Sequence, residues 1–353
     1  MNKTEYIVTG AAGHLGSCVV QALLAQGRRV RALVLPNETC PDFIDENRHL
    51  LREYTGDVRD PTSLMRVFED GHPQNETPQS GPSQRETQAE PYEYVVIHCA
   101  GIVAITKKED RRVYDVNVGG TVNIIEMCKR FNVKRLVYVS SVHAIPPLPR
   151  GQVMREVESF DPDAVPGYYD KTKAIATQLV LNAVKDGLDA VVVHPAGIIG
   201  PHGLPTGNMA RLITLFILGK LPAAIHGGFD FVDVRDVAVG TIAAAEKGES
   251  GECYILSNRF VKLKELLDTL SQVSAIKKLK FYLPLWVAKA IAPFAEMHYK
   301  ISRKTPLFTR YSLKTISENG IYSHDKASRN LGYRTRPLLT TLADTASWVK
   351  ANT

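Results

Sequence analysis

The stretch Thr9-Gly10-Ala11-Ala12-Gly13-His14-Leu15-Gly16 decides how the first part of this chain folds. It directly follows the apolar run Tyr6-Ile7-Val8, which is typical of a buried parallel strand. Apolar residues then recur at helical spacing as far as Gln26, and Gly27 ends the predicted helix. A second apolar run over residues 29–35 predicts the next strand. The quoted stretch is therefore the tight turn of a strand–helix–strand unit.

The glycine spacing in this turn predicts a dinucleotide site. Gly10 permits the tight turn, Gly13 lets the backbone approach a pyrophosphate, and Gly16 allows the helix to pack closely on the strand. The helix that follows offers free N–H groups and a partial positive charge to phosphates. The predicted cofactor contacts in this turn are Gly10, Ala12, Gly13, His14, Leu15 and Gly16.

Strands and helices keep alternating beyond this unit. The pattern predicts strands over residues 94–98, 136–140 and 190–194, and helices over residues 60–68, 113–131 and 172–185. Strands that alternate with helices favour a parallel sheet with helices on both faces. We therefore predict an α/β fold with a doubly wound and mostly parallel Rossmann sheet.

The length of the chain suits one large domain and a smaller lobe. We expect residues 1–200 to form the Rossmann dinucleotide-binding domain. Beyond Gly200, glycine and proline recur, a helix is predicted over residues 209–218, and the regular alternation fades. Residues 201–353 should therefore form mainly a smaller C-terminal α/β substrate lobe, with some segments returning to the first domain.

One segment interrupts the alternation within the first domain. Residues 71–91, with the sequence GHPQNETPQSGPSQRETQAEP, hold no aliphatic side chain larger than alanine. Such a composition cannot bury enough apolar surface to order itself. We predict a mobile surface insertion, with a regulatory loop as the alternative to an insertion without a role.

Composition and charge argue against several classes of protein. The net charge of +6 is spread along the chain and forms no basic arm for nucleic acid. The five cysteines include no C-x-x-C pair, which argues against a disulfide framework or a zinc site. Apolar residues 281–295 are too short and too interrupted by proline and lysine for stable membrane insertion. A strand pattern near Met1 leaves no room for a signal peptide, so we predict a cytoplasmic protein. From the cysteine spacing we also predict that it holds no metal.

Tyr169 and Lys173 are the best candidates for acid–base chemistry. They stand four residues apart, which places both side chains on one face of a helix. A nearby ammonium lowers the pKa of a tyrosine, so proton exchange with an alcohol becomes feasible near neutral pH. Tyr168, the competing tyrosine, has Thr172 at the same spacing and lacks that ammonium.

Two serines follow the strand predicted over residues 136–140. Ser140 and Ser141 stand at its carboxyl end, where ligands bind in open α/β sheets. A hydroxyl there can hydrogen-bond a reacting oxygen and orient it toward Tyr169. A simple cap on the strand is the alternative, but the glycine turn and the Tyr169/Lys173 pair favour the catalytic interpretation.

With these residues identified, the chain resembles the extended short-chain dehydrogenases/reductases of the NAD-dependent epimerase/dehydratase superfamily. The resemblance covers nearly the whole chain. Its motifs are the glycine turn at 9–16, GDVRD at 56–60, VIHCAG at 96–101, NVGGT at 117–121, SS at 140–141, YDKTK at 169–173, HPAGIIGP at 194–201, FVDVRDVA at 231–238 and DKASRNLGY at 325–333.

The resemblance implies a role for each matching residue. Tyr169 would be the general acid and base, Lys173 would bind the nicotinamide ribose and tune Tyr169, and Ser141 would hold the substrate oxygen. Asn117 would be structural rather than part of a proton relay. The remaining cofactor contacts would be Asp57 and Val58 at the adenine, Ala100 and Gly101 along the dinucleotide, and Pro195 and Ile198 beside the nicotinamide.

Two departures set this chain apart from nucleotide-sugar enzymes. Those enzymes resemble S-x-x-x-V-Y-G after the strand, whereas this chain reads SVHAIPP from Ser141. They usually carry an arginine for the diphosphate where this chain has Phe229. The pattern looks closer to the 3β-hydroxysteroid dehydrogenases and dihydroflavonol reductases. It implies an oxidoreductase that interconverts an alcohol and a ketone or aldehyde, on an apolar (steroid- or flavonoid-like) or small carbonyl substrate.

The end of the second strand bears on the form of the cofactor, NAD(P)(H). An acidic residue there selects NAD, but Val34 and Leu35 are apolar. The arginine expected for a 2′-phosphate is not clearly present either, although Arg28, Arg29 and Arg31 lie near. The sequence leans slightly to NADP. The alternatives to a reductase are a nucleotide-sugar epimerase or dehydratase, and a dinucleotide sensor without chemistry. A homodimer is a possible assembly, because dimers are common among such proteins.

Overall fold

A computed structural model describes residues 4–69, 93–104, 108–203, 207–288, 290, 313, 316 and 319–353. The insertion predicted over residues 71–91 lies outside these residues. The strands are β1 (Thr4–Thr9), β2 (Arg29–Val34), β3 (Leu51–Thr55), β4 (Glu93–His98), β5 (Arg135–Val139), β6 (Ala190–Pro195), β7 (Gly197–Ile199), β8 (Ala224–Ile225), β9 (Gly228–Asp233), β10 (Cys253–Leu256), β11 (Arg259–Lys262) and β12 (Tyr282–Leu283). The helices are α1 (His14–Ala25), α2 (Pro61–Glu69), α3 (Arg111–Tyr114), α4 (Gly120–Arg130), α5 (Tyr168–Lys185), α6 (Asn208–Ile217), α7 (Val234–Lys247), α8 (Leu263–Ser274), α9 (Asp325–Leu331) and α10 (Leu338–Ala351).

Seven strands form the central sheet, in the order β3-β2-β1-β4-β5-β6-β10. Every neighbouring pair in this sheet is parallel. Its strands are rich in valine and isoleucine, and β6, with the sequence AVVVHP, is buried along its whole length. Strands of this kind need helices on both faces to exclude water. The predicted α/β class and parallel Rossmann sheet are confirmed.

The register of the sheet brings four strand ends together at one edge. Thr9 at the end of β1 pairs with His98 at the end of β4, and His98 pairs with Tyr138 near the end of β5. Val139 then pairs with Val193 in β6. Because all these strands are parallel, the segments that leave them emerge side by side. This carboxyl edge therefore collects the glycine turn and the Ser140-Ser141 pair.

Two helices differ from their predicted bounds. The helix expected over residues 113–131 contains a turn of π-helix at Asp115–Gly119, between α3 and α4. Asn117 within this turn reaches sideways and holds Ile102 through both backbone groups, at 2.8 and 3.0 Å. Helix α5 starts at Tyr168, earlier than expected, because the Asp170 carboxylate accepts the Gly167 N–H at 3.0 Å. Tyr169 therefore lies in the first turn of α5.

The central sheet uses residues on both sides of the boundary predicted at residue 200. Strand β10 pairs in parallel with β6, and α7 packs against α1. Outside this sheet, β9 pairs with β7 and β11, and β8 pairs with β12. The division into two domains stays a prediction. In the part of the chain that the structure describes, no helix has the length and apolar character needed to cross a membrane.

Candidate active site

The glycine turn is closed so tightly that side chains would not fit. Gly10 has φ +66°, and a Cβ there would lie 2.8 Å from Ala100 Cα. A Cβ on Gly16 would lie 2.1 Å from the Gly10 carbonyl oxygen. Real Cβ contacts are never this short, so the backbone packed against these two positions leaves room only for glycine. This close approach places Gly10 beside Ala100 at the carboxyl edge.

The start of α1 suits a phosphate group. Gly13 caps the helix without a side chain, and the first turn holds no acidic residue. The first N–H groups of a helix have no partner within it, and together with the helix dipole they attract anions. Ala12 and Gly13 can therefore present backbone to a dinucleotide pyrophosphate. Leu15, in contrast, is buried in the core.

His14 is held by the chain rather than left free at this turn. Its Nε2 lies 2.8 Å from the Pro201 carbonyl oxygen, and its ring lies against Gly203. Burial lowers the pKa of His14, which favours a neutral ring that donates to Pro201. His14 thus ties the glycine turn to the segment after β7.

Asp57 and Val58 follow β3, next to the end of β2. The Gly56 N–H donates to the Val34 carbonyl at 2.9 Å, which brings the two strand ends together. The Asp57 carboxylate pairs with Arg59 at 2.6 Å, and the hydrogen bonds from Arg59 lower the pKa of Asp57. Val58 is buried, and its carbonyl accepts from Asn123 at 2.8 Å. This turn borders the side of the edge where an adenosine would lie.

The arginines near β2 do not reach its carboxyl end. Arg31 is buried and pairs with Glu5 at 2.7 Å, and it also donates to Tyr94 at 3.0 Å. Arg28 precedes β2 and pairs with Glu246 at 3.3 Å. Arg28 and Arg31 therefore have their partners away from this end, and the preference for NADP stays a prediction. The end of β2 carries buried Val34 and then Leu35, which is 45% exposed.

Ser141 and Tyr169 lie near each other at the carboxyl edge. Both residues are buried, and Ser141 comes two residues after the end of β5. Burial raises the pKa of Tyr169, the nearby Ser141 hydroxyl opposes this rise, and the Asp170 carboxylate adds to it. Ser140 is instead turned inward, with its Oγ 2.6 Å from Thr177 Oγ1. The structure therefore brings Ser141, and not Ser140, to the tyrosine.

Lys173 lies deeper in the same site. Its ammonium donates to the Val139 carbonyl at 2.8 Å and to the Tyr138 hydroxyl at 3.4 Å. Burial lowers the pKa of Lys173 to about 8. A Cβ on Gly101 would lie 3.4 Å from the Lys173 Nζ, so the VIHCAG segment passes directly over the ammonium. In this arrangement burial is the largest influence on the pKa of Tyr169 and raises it, and the tuning of Tyr169 by Lys173 stays a prediction.

Two buried histidines support this edge, and sequence reasoning gave neither a role. His194 Nδ1 lies 2.9 Å from the Ser141 carbonyl oxygen, directly behind the serine. His98 lies between the hydroxyls of Thr9 at 2.7 Å and Thr121 at 3.3 Å. Both histidines stand in quoted motifs, but only their contacts across the sheet reveal that they position the site.

Acid should destabilise the fold through these two histidines. Burial lowers the pKa of His98 to about 3 and that of His194 to about 4. Below pH 6.5 these histidines therefore bind protons in the unfolded chain but stay neutral in the folded chain, so the free energy of unfolding falls as the pH falls toward 4. We expect a loss of about 1.5 kcal/mol per histidine between pH 6.5 and 5, measured by urea unfolding. In His194→Gln the fall in the free energy of unfolding between pH 6.5 and 5 should be about half as large. If the free energy of unfolding of the parent did not change over this range, the lowered pKa values of the two histidines would be contradicted.

An aromatic pocket opens beside Tyr169. We give this name to the space lined by His143, Phe229 and Tyr322. The His143 ring stacks on Phe229 with centroids 5.6 Å apart and meets the Tyr169 ring edge-on at 6.1 Å. Phe229 and Tyr322 also meet edge-on, at 5.9 Å. Asp170 is buried nearby, with Oδ1 3.6 Å from His143 Nδ1. Tyr322 was missed in the sequence, because no local pattern connects it to the site.

Pro195 and Ile198 lie where β6 passes into β7. Pro195 ends β6 and is buried, and Ile198 is half-buried in β7, paired with Val232 of β9. Both follow the carboxyl edge of the sheet, on the side of β5. Ile198 lines a small pocket together with His14 of the glycine turn.

Comparisons with known proteins agree with this geometry. The model of the NAD dependent epimerase/dehydratase family matches residues 6–77 and 80–257. The chain is 28% identical to Sterol demethylase protein B of Methylococcus capsulatus, over 98% of each chain. It is also 28% identical to human 3 beta-hydroxysteroid dehydrogenase type 7, over 99% of this chain and 97% of that one.

A solved structure supports the same conclusion. The crystal structure of gox2253 has a TM-score of 0.79 and 26% identity, and 99% of both chains is covered. The family match spans well over half of this chain, and it includes the glycine turn, Ser141, Tyr169 and Lys173. The chain therefore belongs to the NAD dependent epimerase/dehydratase family, as an NAD(P)-dependent enzyme of the extended short-chain dehydrogenase/reductase type.

Proposed function

We propose that this enzyme interconverts an alcohol and a ketone or aldehyde, with Tyr169 as the acid and base. The observation that carries this proposal is that Ser141, Tyr169 and Lys173 lie buried together at the carboxyl edge, with the Lys173 ammonium bound to the Val139 carbonyl just before the serines. The Ser141 hydroxyl holds the substrate oxygen, and the Tyr169 hydroxyl gives it a proton or takes one from it. A bound nicotinamide would supply or accept the hydride. Lys173 would hold the ribose hydroxyls of that cofactor from beneath Gly101.

The substrate that fits best is apolar around its reacting carbon. Phe229 and Tyr322 line the aromatic pocket, and His143, which meets the Tyr169 ring, connects this lining to the acid and base. Phe229 is buried where nucleotide-sugar enzymes usually carry an arginine. A diphosphate placed there would leave its charges without a partner, which is costly away from water. The aromatic character of this lining therefore favours steroid-like and flavonoid-like ketones over nucleotide sugars.

Cofactor binding and a carbonyl panel test this function together. NADH and NADPH are titrated against the purified protein by fluorescence, and the tighter one is then offered with apolar ketones and aldehydes. We expect binding in the micromolar range or tighter, and oxidation of the cofactor only with an apolar carbonyl. Binding without any turnover would favour a dinucleotide sensor, whereas no binding of either form would overturn the proposal.

NADPH should bind more tightly than NADH, because no carboxylate stands at the end of β2. Leu35→Asp should reverse this order and lower the affinity for NADPH by about tenfold or more. The new carboxylate would repel a 2′-phosphate and accept a hydrogen bond from a free 2′-hydroxyl. Leu339→Asp, at an equally exposed leucine on α10, is the matched control and should change neither affinity. Tighter NADH binding by the parent would refute the preference but leave the chemistry standing.

A further inference from the structure

A second, larger cavity adjoins the aromatic pocket. Its volume is about 570 Å³, and we call it the basic cavity after the cations described below. Asn319 lines both spaces, and Gly228, at the wall of the basic cavity, directly precedes Phe229. A Cβ on Gly320, another lining residue, would lie 3.1 Å from the Phe229 ring. Asn319 is thus shared by the two spaces, and Phe229 of the aromatic pocket lies against Gly320 of the basic cavity.

Glycines and apolar side chains form the inner surface of the basic cavity. A Cβ on Gly227 would lie 2.7 Å from the Ile316 carbonyl, and one on Gly228 would lie 2.5 Å from Phe260 Cζ. The chain segments therefore approach as closely as backbone allows, and Phe260 covers the strand beneath. Such a surface suits rings or methylene groups rather than a hydrated polar group.

Positive charges surround this apolar surface. Arg150, Lys262 and Lys264 line the basic cavity, and its described lining includes no Asp or Glu. Asp268 pairs with Lys264 at 2.5 Å and offsets part of that charge. Lys262 therefore contributes more positive charge to the cavity than Lys264 does. It is exposed at the N-terminal cap of α8, where the positive end of the helix dipole adds to its charge.

We propose that the basic cavity binds a carboxylate at the far end of an apolar substrate. This inference rests on the proposed function, because the same molecule would place its carbonyl or carbinol carbon at Tyr169. The two spaces are adjacent, because Asn319 lines both and Gly228 of the basic cavity directly precedes Phe229 of the aromatic pocket. A substrate that extends from Tyr169 past Asn319 would bring its charged end to Lys262 and Lys264. Apolar walls alone would not retain a carboxylate, since it needs cationic donors once it leaves water.

Binding of two closely matched probes tests the proposal. One is a 3-oxo steroid with a side-chain carboxylate, and the other is its primary amide, which differs only in charge. By isothermal titration calorimetry we expect the full-length protein to bind the carboxylate at least about tenfold more tightly. Lys262→Gln combined with Lys264→Gln should bring this ratio to about two or less. Lys247→Gln, at an exposed lysine on α7, should leave it unchanged.

The outcomes separate this inference from the proposed function. Binding needs no turnover, so Tyr169→Phe should retain the preference for the carboxylate even as catalysis fails. Equal affinity for the two probes, binding of neither, or a preference that survives the double substitution would overturn the basic cavity as a carboxylate site. If turnover is lost while the preference for the carboxylate probe over the amide remains, the carboxylate site in the basic cavity is supported and only the proposed catalytic function is in error.

Discussion

Tyr169→Phe is expected to lower kcat by about 10² to 10⁴-fold, with little change in cofactor affinity. The phenylalanine ring keeps the packing against His143 but removes the hydroxyl that exchanges a proton with the substrate oxygen. Ser141 can still hold that oxygen, so the KM should change much less than kcat. The loss then reports proton transfer rather than binding.

Stopped-flow measurement of hydride transfer, with NADPH and an apolar ketone, gives the direct readout for this variant. Tyr168→Phe is the control, because Tyr168 is the preceding residue in α5 and lacks a lysine four residues later. It should retain nearly full activity. If Tyr169→Phe kept the parental rate while folding normally, the assignment of Tyr169 as acid and base would be wrong.

Lys173→Met is expected to lower kcat/KM by about 100-fold or more, chiefly by weakening dinucleotide binding. Methionine fills a similar volume but cannot donate to ribose hydroxyls. It also loses the bond to the Val139 carbonyl, next to Ser140 and Ser141. Fluorescence titration with NADPH should reveal the weaker binding. Lys171→Met, at an exposed lysine two residues earlier, is the control and should bind normally.

The pH dependence of binding separates the role of the Lys173 charge from simple packing. With its pKa lowered to about 8, folded Lys173 loses its proton above pH 8, and cofactor affinity should fall there. Stability should move the opposite way: between pH 8 and 10.5 the unfolded chain still binds this proton, so the free energy of unfolding rises with pH at this group. Lys173→Met should lose both trends. An affinity that stays constant from pH 7 to 10 in the parent would contradict a charged role for Lys173.

Several long-range contacts explain why parts of the site escaped sequence analysis. His194 meets Ser141 across 53 residues, and Arg31 meets Tyr94 across 63 residues. The sequence shows Arg31 near the end of β2, but only the structure shows that it is buried against Glu5. Tyr322 reaches Phe229 from a distant part of the chain. None of these pairs has a spacing that a local pattern can reveal.

By itself, the sequence determined the features that depend on neighbours along the chain. The glycine spacing at 9–16, the Tyr169/Lys173 spacing and the strand before Ser141 all follow from local geometry, with periods of 3.6 and 2 residues. These features predicted the parallel Rossmann sheet and the residues proposed for acid–base chemistry. Glycine turns and i, i+4 pairs can be predicted from the sequence because a single segment of backbone sets their geometry.

Only the tertiary structure decided which polar groups meet and what charge they carry. The register of β4, β5 and β6 placed Lys173 under Gly101 and His194 behind Ser141. Packing at β9 put the Phe229 ring, rather than a cation, in the lining of the aromatic pocket. Burial then set the pKa of Tyr169, Lys173 and His98, because the cost of a charge depends on how much water the whole fold excludes.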